Sequence, residues 1–203
     1  MTDMQAADST SARSRAKADR RRQLLHAAAR LVAERGFPGV RLEDLGAAVG
    51  ISGPAVYRHF PNKDALLVEL LTDISDRLLA GGRDVVERTT DPATALTELV
   101  DFHLDFALGE PDLIRVQDRD LHSLPDDARR SVRQKQRRYV EIWVGVLRRI
   151  DPTLDETRAR IAAHGAFGLL NSTPHSADSR AGADATRTVL RQMVLAALPP
   201  RAS

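Results

Sequence analysis

The sequence predicts an all-α fold of about nine helices, a small N-terminal three-helix unit followed by a larger helical domain. Apolar residues recur at three- and four-residue steps through most of the chain, and no stretch alternates with the period of a strand. Glycine and proline at Gly36, Pro61, Pro92, Pro111 and Pro125 then cut this pattern into lengths ordinary for helices.

Residues 1–16 are rich in Ser, Ala, Thr and Asp without apolar periodicity, and they read as a disordered leader. Leu24, Leu25, Ala28, Leu31 and Val32 give a first helix over about 17–35, stopped by Gly36. Leu42, Leu45 and Val49 make a short amphipathic helix, and Gly50 supplies a left-handed turn. Ser52 can cap the next helix, Pro54 suits its first turn, and Val56 and Phe60 face back to the core. Phe60-Pro61 breaks the chain before the N-cap Asn62. A long helix follows with a stripe of Leu66, Leu67, Leu70, Leu71, Ile74 and Leu78, in which Gly81-Gly82 reads as a weak point. Beyond Pro92, Leu96, Leu99, Val100, His103, Phe106 and Ala107 line another helix. A shorter segment covers Leu113–Leu121, and Asp126 starts a long element carrying Val132, Tyr139, Ile142, Trp143, Val146 and Ile150. The last two helices run over about 154–170 and 183–198, separated by a loop from Asn171 to Asp178.

Composition narrows the function classes. The absence of cysteine excludes disulfides, thiolate metal sites and a cysteine nucleophile. The first 18 residues hold no apolar core of a signal peptide, and no apolar run approaches the ~18–20 residues of a membrane span, so the expected location is cytoplasmic. Glycine-rich phosphate loops, nucleophile elbows and His-Glu metal patterns are missing, so neither an enzyme nor a cofactor or metal site is expected. A net charge of +2 conceals an asymmetry: residues 1–63 carry eleven Lys/Arg against six Asp/Glu, the remainder nineteen against twenty-two. Arg13, Arg15, Lys17, Arg20, Arg21 and Arg22 form a run broken only by Asp19, a local excess that attracts a polyanion. The later cluster from Arg129 to Arg138 reads as a solvated helix face.

Helix, glycine turn and helix at this spacing describe a helix-turn-helix over Leu42–Phe60, whose second helix enters a major groove. Gly36-Phe37, Leu42–Val49, Ser52 and Tyr57-Arg58-His59-Phe60, continued by Asn62-Lys63-Asp64-Ala65-Leu66-Leu67, resemble the TetR family of bacterial regulators over residues 20 to about 70. Two departures from the family pattern stand out. Val40 and Arg41 stand where a hydroxyl residue is common, removing the usual cap of the first motif helix, and Ala55 replaces a common threonine.

The resemblance implies a helix-turn-helix domain over 17–63 and an effector-binding and dimerisation domain over 64–203, forming a homodimer on a palindromic, double-stranded operator. Tyr57, His59 and Lys63 match the family's backbone-contacting positions. By their chemistry, Ser52 and the amides around Gly53 can hold a phosphate, with Arg41 a further candidate; Pro54 and Ala55 can touch a thymine methyl, and Arg58 can bond a guanine edge. Small and apolar residues Ile161, Ala162, Gly165, Gly168 and Leu169, with Val189, Leu190, Met193, Val194 and Ala197, form the candidate dimer stripes. Phe102, Phe106, Trp143 and Phe167 are candidate walls of an effector pocket, with His103, His122, His164 and Asn171 as its polar groups. The expected function is repression relieved by a largely apolar small molecule; the alternative is an activator or architectural DNA binder without an effector.

Overall fold

The computed structural model describes the backbone of residues 2–173 and 182–198 and the side chains of residues 15–173 and 184–198. Helix α1 spans Thr2–Arg35, α2 Leu42–Val49, α3 Gly53–Tyr57, α4 Lys63–Arg88 and α5 Pro92–Gly109. Helix α6 covers Pro111–Asp120 and runs into a 3₁₀ turn, Leu121–Ser123; α7 covers Asp126–Ile150, α8 Glu156–Leu170 and α9 Ala183–Ala197. No strand occurs among the described residues, in keeping with the all-α expectation. Much of the expected Asn171–Asp178 loop lies outside them.

Local chemistry sets the helix ends. The Asn62 side chain accepts from the Ala65 amide at 2.7 Å, and Asp91 and Asp155 cap α5 and α8 in the same way. Gly36, at φ +79°, ends α1 as the sequence predicts. At its other end α1 continues through the stretch read as a leader. Residues 2–35 contain neither glycine nor proline, and Ala, Arg and Lys supply half of them, so nothing in the chain breaks the helix.

Two apolar cores form. The first joins Leu24, Leu31 and Val32 of α1 to Leu45, Val56 and Phe60, and extends to Leu66–Ile74 of α4, Leu113 and Val116 of α6, and Val132 of α7. The second gathers Leu99 and Leu104 of α5, Trp143 and Leu147 of α7, Ala163 and Leu170 of α8, and Leu190 and Val194 of α9. Helix α4 belongs to both, contributing Leu79 and Val85 to the second. The first core therefore reaches well past residue 63.

Gly81 and Gly82 do not weaken α4. The Phe102 ring lies directly against Gly81, and a Cβ on Gly82 would stand 2.6 Å from Cε2 of Tyr139. The pair lets α5 and α7 approach the α4 backbone closely. Among the described residues no helix is long and apolar enough to cross a membrane. The Arg129–Arg138 cluster lies on α7, where Arg129, Arg130 and Lys135 pair with Asp126, Asp127 and Asp76 on exposed surface.

Replacing Gly82 by alanine should lower the melting temperature despite alanine's helix propensity, because the new methyl meets the Tyr139 ring. Gly145→Ala, with open space around its Cα in the middle of α7, should instead add up to about 1 kcal/mol. Thermal denaturation of the two variants checks the contrast; stabilisation by both would contradict it.

Candidate nucleic-acid interface and helical-domain centre

Helices α2 and α3 form the predicted motif. Gly50 takes φ +72°, and its amide with that of Ile51 bonds back to the Ala47 and Gly46 carbonyls, closing the turn. Gly46 lies so near the start of α3 that a Cβ there would stand 2.8 Å from the Ile51 carbonyl oxygen. Val56 and Phe60 are fully buried, as predicted. Their burial fixes the opposite side of α3 outward, where Ser52, Pro54, Tyr57 and Arg58 are exposed; Gly53, Ala55 and His59 are half-buried.

No side chain caps the start of α2, and only the reciprocal half of a capping box is present. The Asp44 carboxylate accepts the Arg41 amide at 2.9 Å, leaving the exposed Arg41 guanidinium outside the capping bond. The Ser52 hydroxyl, read as the cap of α3, makes no such bond. Its carbonyl instead accepts from the Ala55 amide at 2.9 Å and the Val56 amide at 3.4 Å, so those donors are already engaged.

Several predicted contact groups have intramolecular partners. Tyr57 is 48% exposed, and its hydroxyl donates to Oε1 of Glu43 at 2.9 Å. This bond and the Glu43 charge hold the phenol above its ordinary pKa. Lys63 donates to the Phe37 carbonyl at 2.8 Å and the Pro38 carbonyl at 3.3 Å, with its ammonium over the Phe37 ring. It ties the α1–α2 connection to the first turn of α4. His59 is held below its ordinary pKa by burial and then by the charges of Arg21, Lys17, Arg58 and Arg20. Within the basic run, Arg21 grips the Glu69 carboxylate and the His59 carbonyl, Arg20 donates to the Val49 carbonyl at 3.2 Å, and Arg22 pairs with Asp19.

A second set of groups joins this unit to the larger domain. Arg119 of α6 donates to the Val32 and Ala33 carbonyls at the end of α1. The buried Asp120 beside it accepts the Phe37 amide at 3.2 Å and pairs with Arg119. The sequence reading missed both residues, since an Arg-Asp pair at a helix end carries no signal until α6 is seen to meet α1.

At the centre of the larger domain, His103, Phe106, Trp143 and Phe167 come together with Tyr139, which the sequence reading placed on its helix without a role. The His103 ring lies 5.1–6.2 Å from the rings of the other four. Asn171, at the end of α8, accepts from His103 Nε2 at 2.9 Å, and Tyr139 donates its hydroxyl to Nδ1 at 3.2 Å. Burial pushes His103 down to about 4, opposed in part by the Asn171 bond, and pushes Tyr139 up. Phe102 packs nearby on Gly81. His122 does not join them: it lies in the 3₁₀ turn, between Leu121 and Leu124 of the first core. A groove of about 720 Å³ between α1, α4 and the α5–α6 corner, lined by His26, Arg30, Leu70, Arg77 and Leu113, contains none of the predicted pocket residues.

The last two helices expose apolar surface. Ile161 is 66% exposed, Val189 53% and Met193 47%, flanked by exposed Gly165, Gly168 and Ala197. Leu190 and Val194, assigned to the same stripe from sequence, turn into their own core instead.

Residues 24–70 match the family described as bacterial regulatory proteins of the tetR family, and residues 89–175 match the tetracyclin repressor-like C-terminal domain. The transcriptional repressor KstR2 of Rhodococcus jostii is 30% identical over 132 residues, 64% of this chain and 65% of KstR2. The chain thus spans a little under two thirds of that relative. Among solved structures, a TetR-family regulator from Bordetella parapertussis superposes with a TM-score of 0.77 at 26% identity, covering 86% of this chain and 93% of that one. The ketosteroid transcriptional regulator KstR2 of Mycobacterium tuberculosis gives 0.76 at 22% identity, covering 90% and 96%.

The His103 shift has a defined sign. Because the unfolded chain binds this proton more readily than the folded one, the stabilising effect of a neutral His103 is present above about pH 6.5 and is lost as pH falls toward 4. Lowering pH from 7 to 5 should cost about 2 kcal/mol from this group, and His103→Gln should flatten that dependence in denaturant titrations.

Proposed function

Because the chain belongs to the TetR family of bacterial regulatory proteins, we propose that it is a dimeric transcriptional repressor that leaves its operator when a small molecule enters the helical domain. One observation carries the DNA-binding part: α3 buries Val56 and Phe60 and turns Ser52, Pro54, Tyr57 and Arg58 outward, on the face of a helix-turn-helix that meets a groove. Pro54 and Ala55 reach thymine methyls, Arg58 a guanine edge, and Tyr57, His59, Ser52, Gly53 and Arg41 the backbone. Lys63 contributes by holding the loop that orients α2, and touches phosphate with whatever donor capacity its two carbonyl partners leave.

The exposed Ile161, Val189 and Met193 on two neighbouring helices support a homodimer built from α8 and α9. Two recognition helices must then stand about 34–36 Å apart to fill successive major grooves. An effector acts by favouring a different spacing, within the limit of its differential affinity for the two states. Arg119 and Asp120 are the route by which α6 imposes such a change, since they hold the α1 terminus and Phe37 directly.

Mobility-shift titration on promoter fragments tests the DNA reading. Tyr57→Phe should weaken every sequence alike, by roughly threefold to tenfold for one lost hydrogen bond. Arg58→Ala should change which sequence is preferred; a uniform loss would remove its base-reading role. No binding by the intact protein at low salt would end the proposal.

The coupling role gives a separate expectation. Arg119→Ala should leave effector affinity within about twofold while blunting operator release, because coupling rather than binding is removed. Effector affinity falling in step with release would show that Arg119 serves the pocket instead.

A further inference from the structure

We propose that Glu43 reads a cytosine in the major groove, accepting a hydrogen bond from its N4 amino group once a DNA phosphate has drawn Tyr57 away. The inference rests on the operator-binding reading above and adds to it a specificity determinant on α2. Two acids lie between Gly36 and Lys63, and they are used differently. Asp44 is committed to the protein: it accepts the Arg41 amide at 2.9 Å and stands 3.8 Å from the Arg35 guanidinium. Glu43 is exposed, and its partner is the uncharged Tyr57 phenol, which donates to Oε1 at 2.9 Å. Among the described residues no cation pairs with Glu43, and its second oxygen has no donor.

Packing sets this carboxylate among the groove-facing residues. Leu42, Leu45 and Gly46 are buried, which turns Glu43 and Ala47 outward, beside the exposed Pro54, Tyr57 and Arg58. The Glu43 stem lies against the first residue of α3, where a Cβ on Gly53 would stand 3.2 Å from Glu43 Cγ. Once Tyr57 bonds a phosphate, Glu43 loses its donor in a surface from which water is being displaced, and it is stabilised only where DNA supplies another. The donors of the major groove are the amino groups of cytosine and adenine, whereas guanine and thymine present acceptors. Adenine sets the N7 lone pair next to its amino group, which repels a carboxylate; cytosine sets a C–H there. The chemistry of Glu43 therefore selects cytosine.

Duplexes with a randomised segment, selected on the full-length protein at low salt and sequenced, test this. The parent protein should prefer cytosine at one position of each half-site. Glu43→Ala should erase that preference alone, with about tenfold weaker binding to the preferred duplex. Glu43→Gln should move the preference to adenine, because an amide can accept from N6 and donate to N7. Tyr57→Phe should keep the cytosine preference while weakening all duplexes, since the carboxylate is then already released. Thermal denaturation shows whether each variant is folded, and the isosteric Glu43→Gln carries the test if Glu43→Ala is not. Unchanged preferences in both Glu43 variants, or a uniform gain in affinity for every duplex, would overturn the proposal and leave the operator-binding reading intact. Loss of the cytosine preference in Tyr57→Phe would overturn the release of Glu43 by phosphate. A parent protein that enriches no duplex would remove both readings together.

Discussion

The structure depends on one helix being buried twice. The first half of α4 closes the core beneath the helix-turn-helix, and its second half closes the core of the larger domain. With no break between them, a tilt at one end is imposed on the other. The two glycines in its middle would ordinarily invite a bend, yet they are pinned by the Phe102 and Tyr139 rings. Any ligand that moves those rings acts on α4 where its backbone is least protected by side chains of its own.

The charges of the N-terminal unit divide between building and attraction. Arg20, Arg21 and Arg22 hold Val49, Glu69, His59 and Asp19, and Arg21 also lies 4.5 Å from the Phe60 ring centroid. Arg15, Lys17, Arg41 and Arg58 face solvent. The positive excess visible in the sequence is therefore partly spent on seating α1 against α2 and α4, and the remainder is what an incoming polyanion meets. Arg119 performs similar work from the other domain, satisfying carbonyls at the end of α1 that a helix terminus leaves open.

Much of this was legible from residue order. Apolar spacing located the helices, Asn62 and Pro92 marked starts, and the Gly50 turn with Val56 and Phe60 gave the orientation of α3, because those features act over a few residues. What escaped depends on distant neighbours. Gly81-Gly82 looked weak since no sequence shows the rings that cover them; Leu190 and Val194 shared a stripe with Val189 and Met193, but only the packing of α9 on α5 and α8 decides which edge is inside. His122 matched the chemistry of a pocket residue but is exposed in the 3₁₀ turn, while Tyr139 completed the His103 cluster unannounced. The leader lacked periodicity, yet helix propensity without a breaker was enough to carry α1 through it.

The bond between Tyr57 and Glu43 places a carboxylate on the surface that faces outward. A phosphate that approaches must compete for the phenol and tolerate a like charge beside it, which discourages indiscriminate adhesion to any stretch of polymer. Short stays on wrong sequences free the molecule to keep searching, so this small internal repulsion favours speed of search over strength of grip.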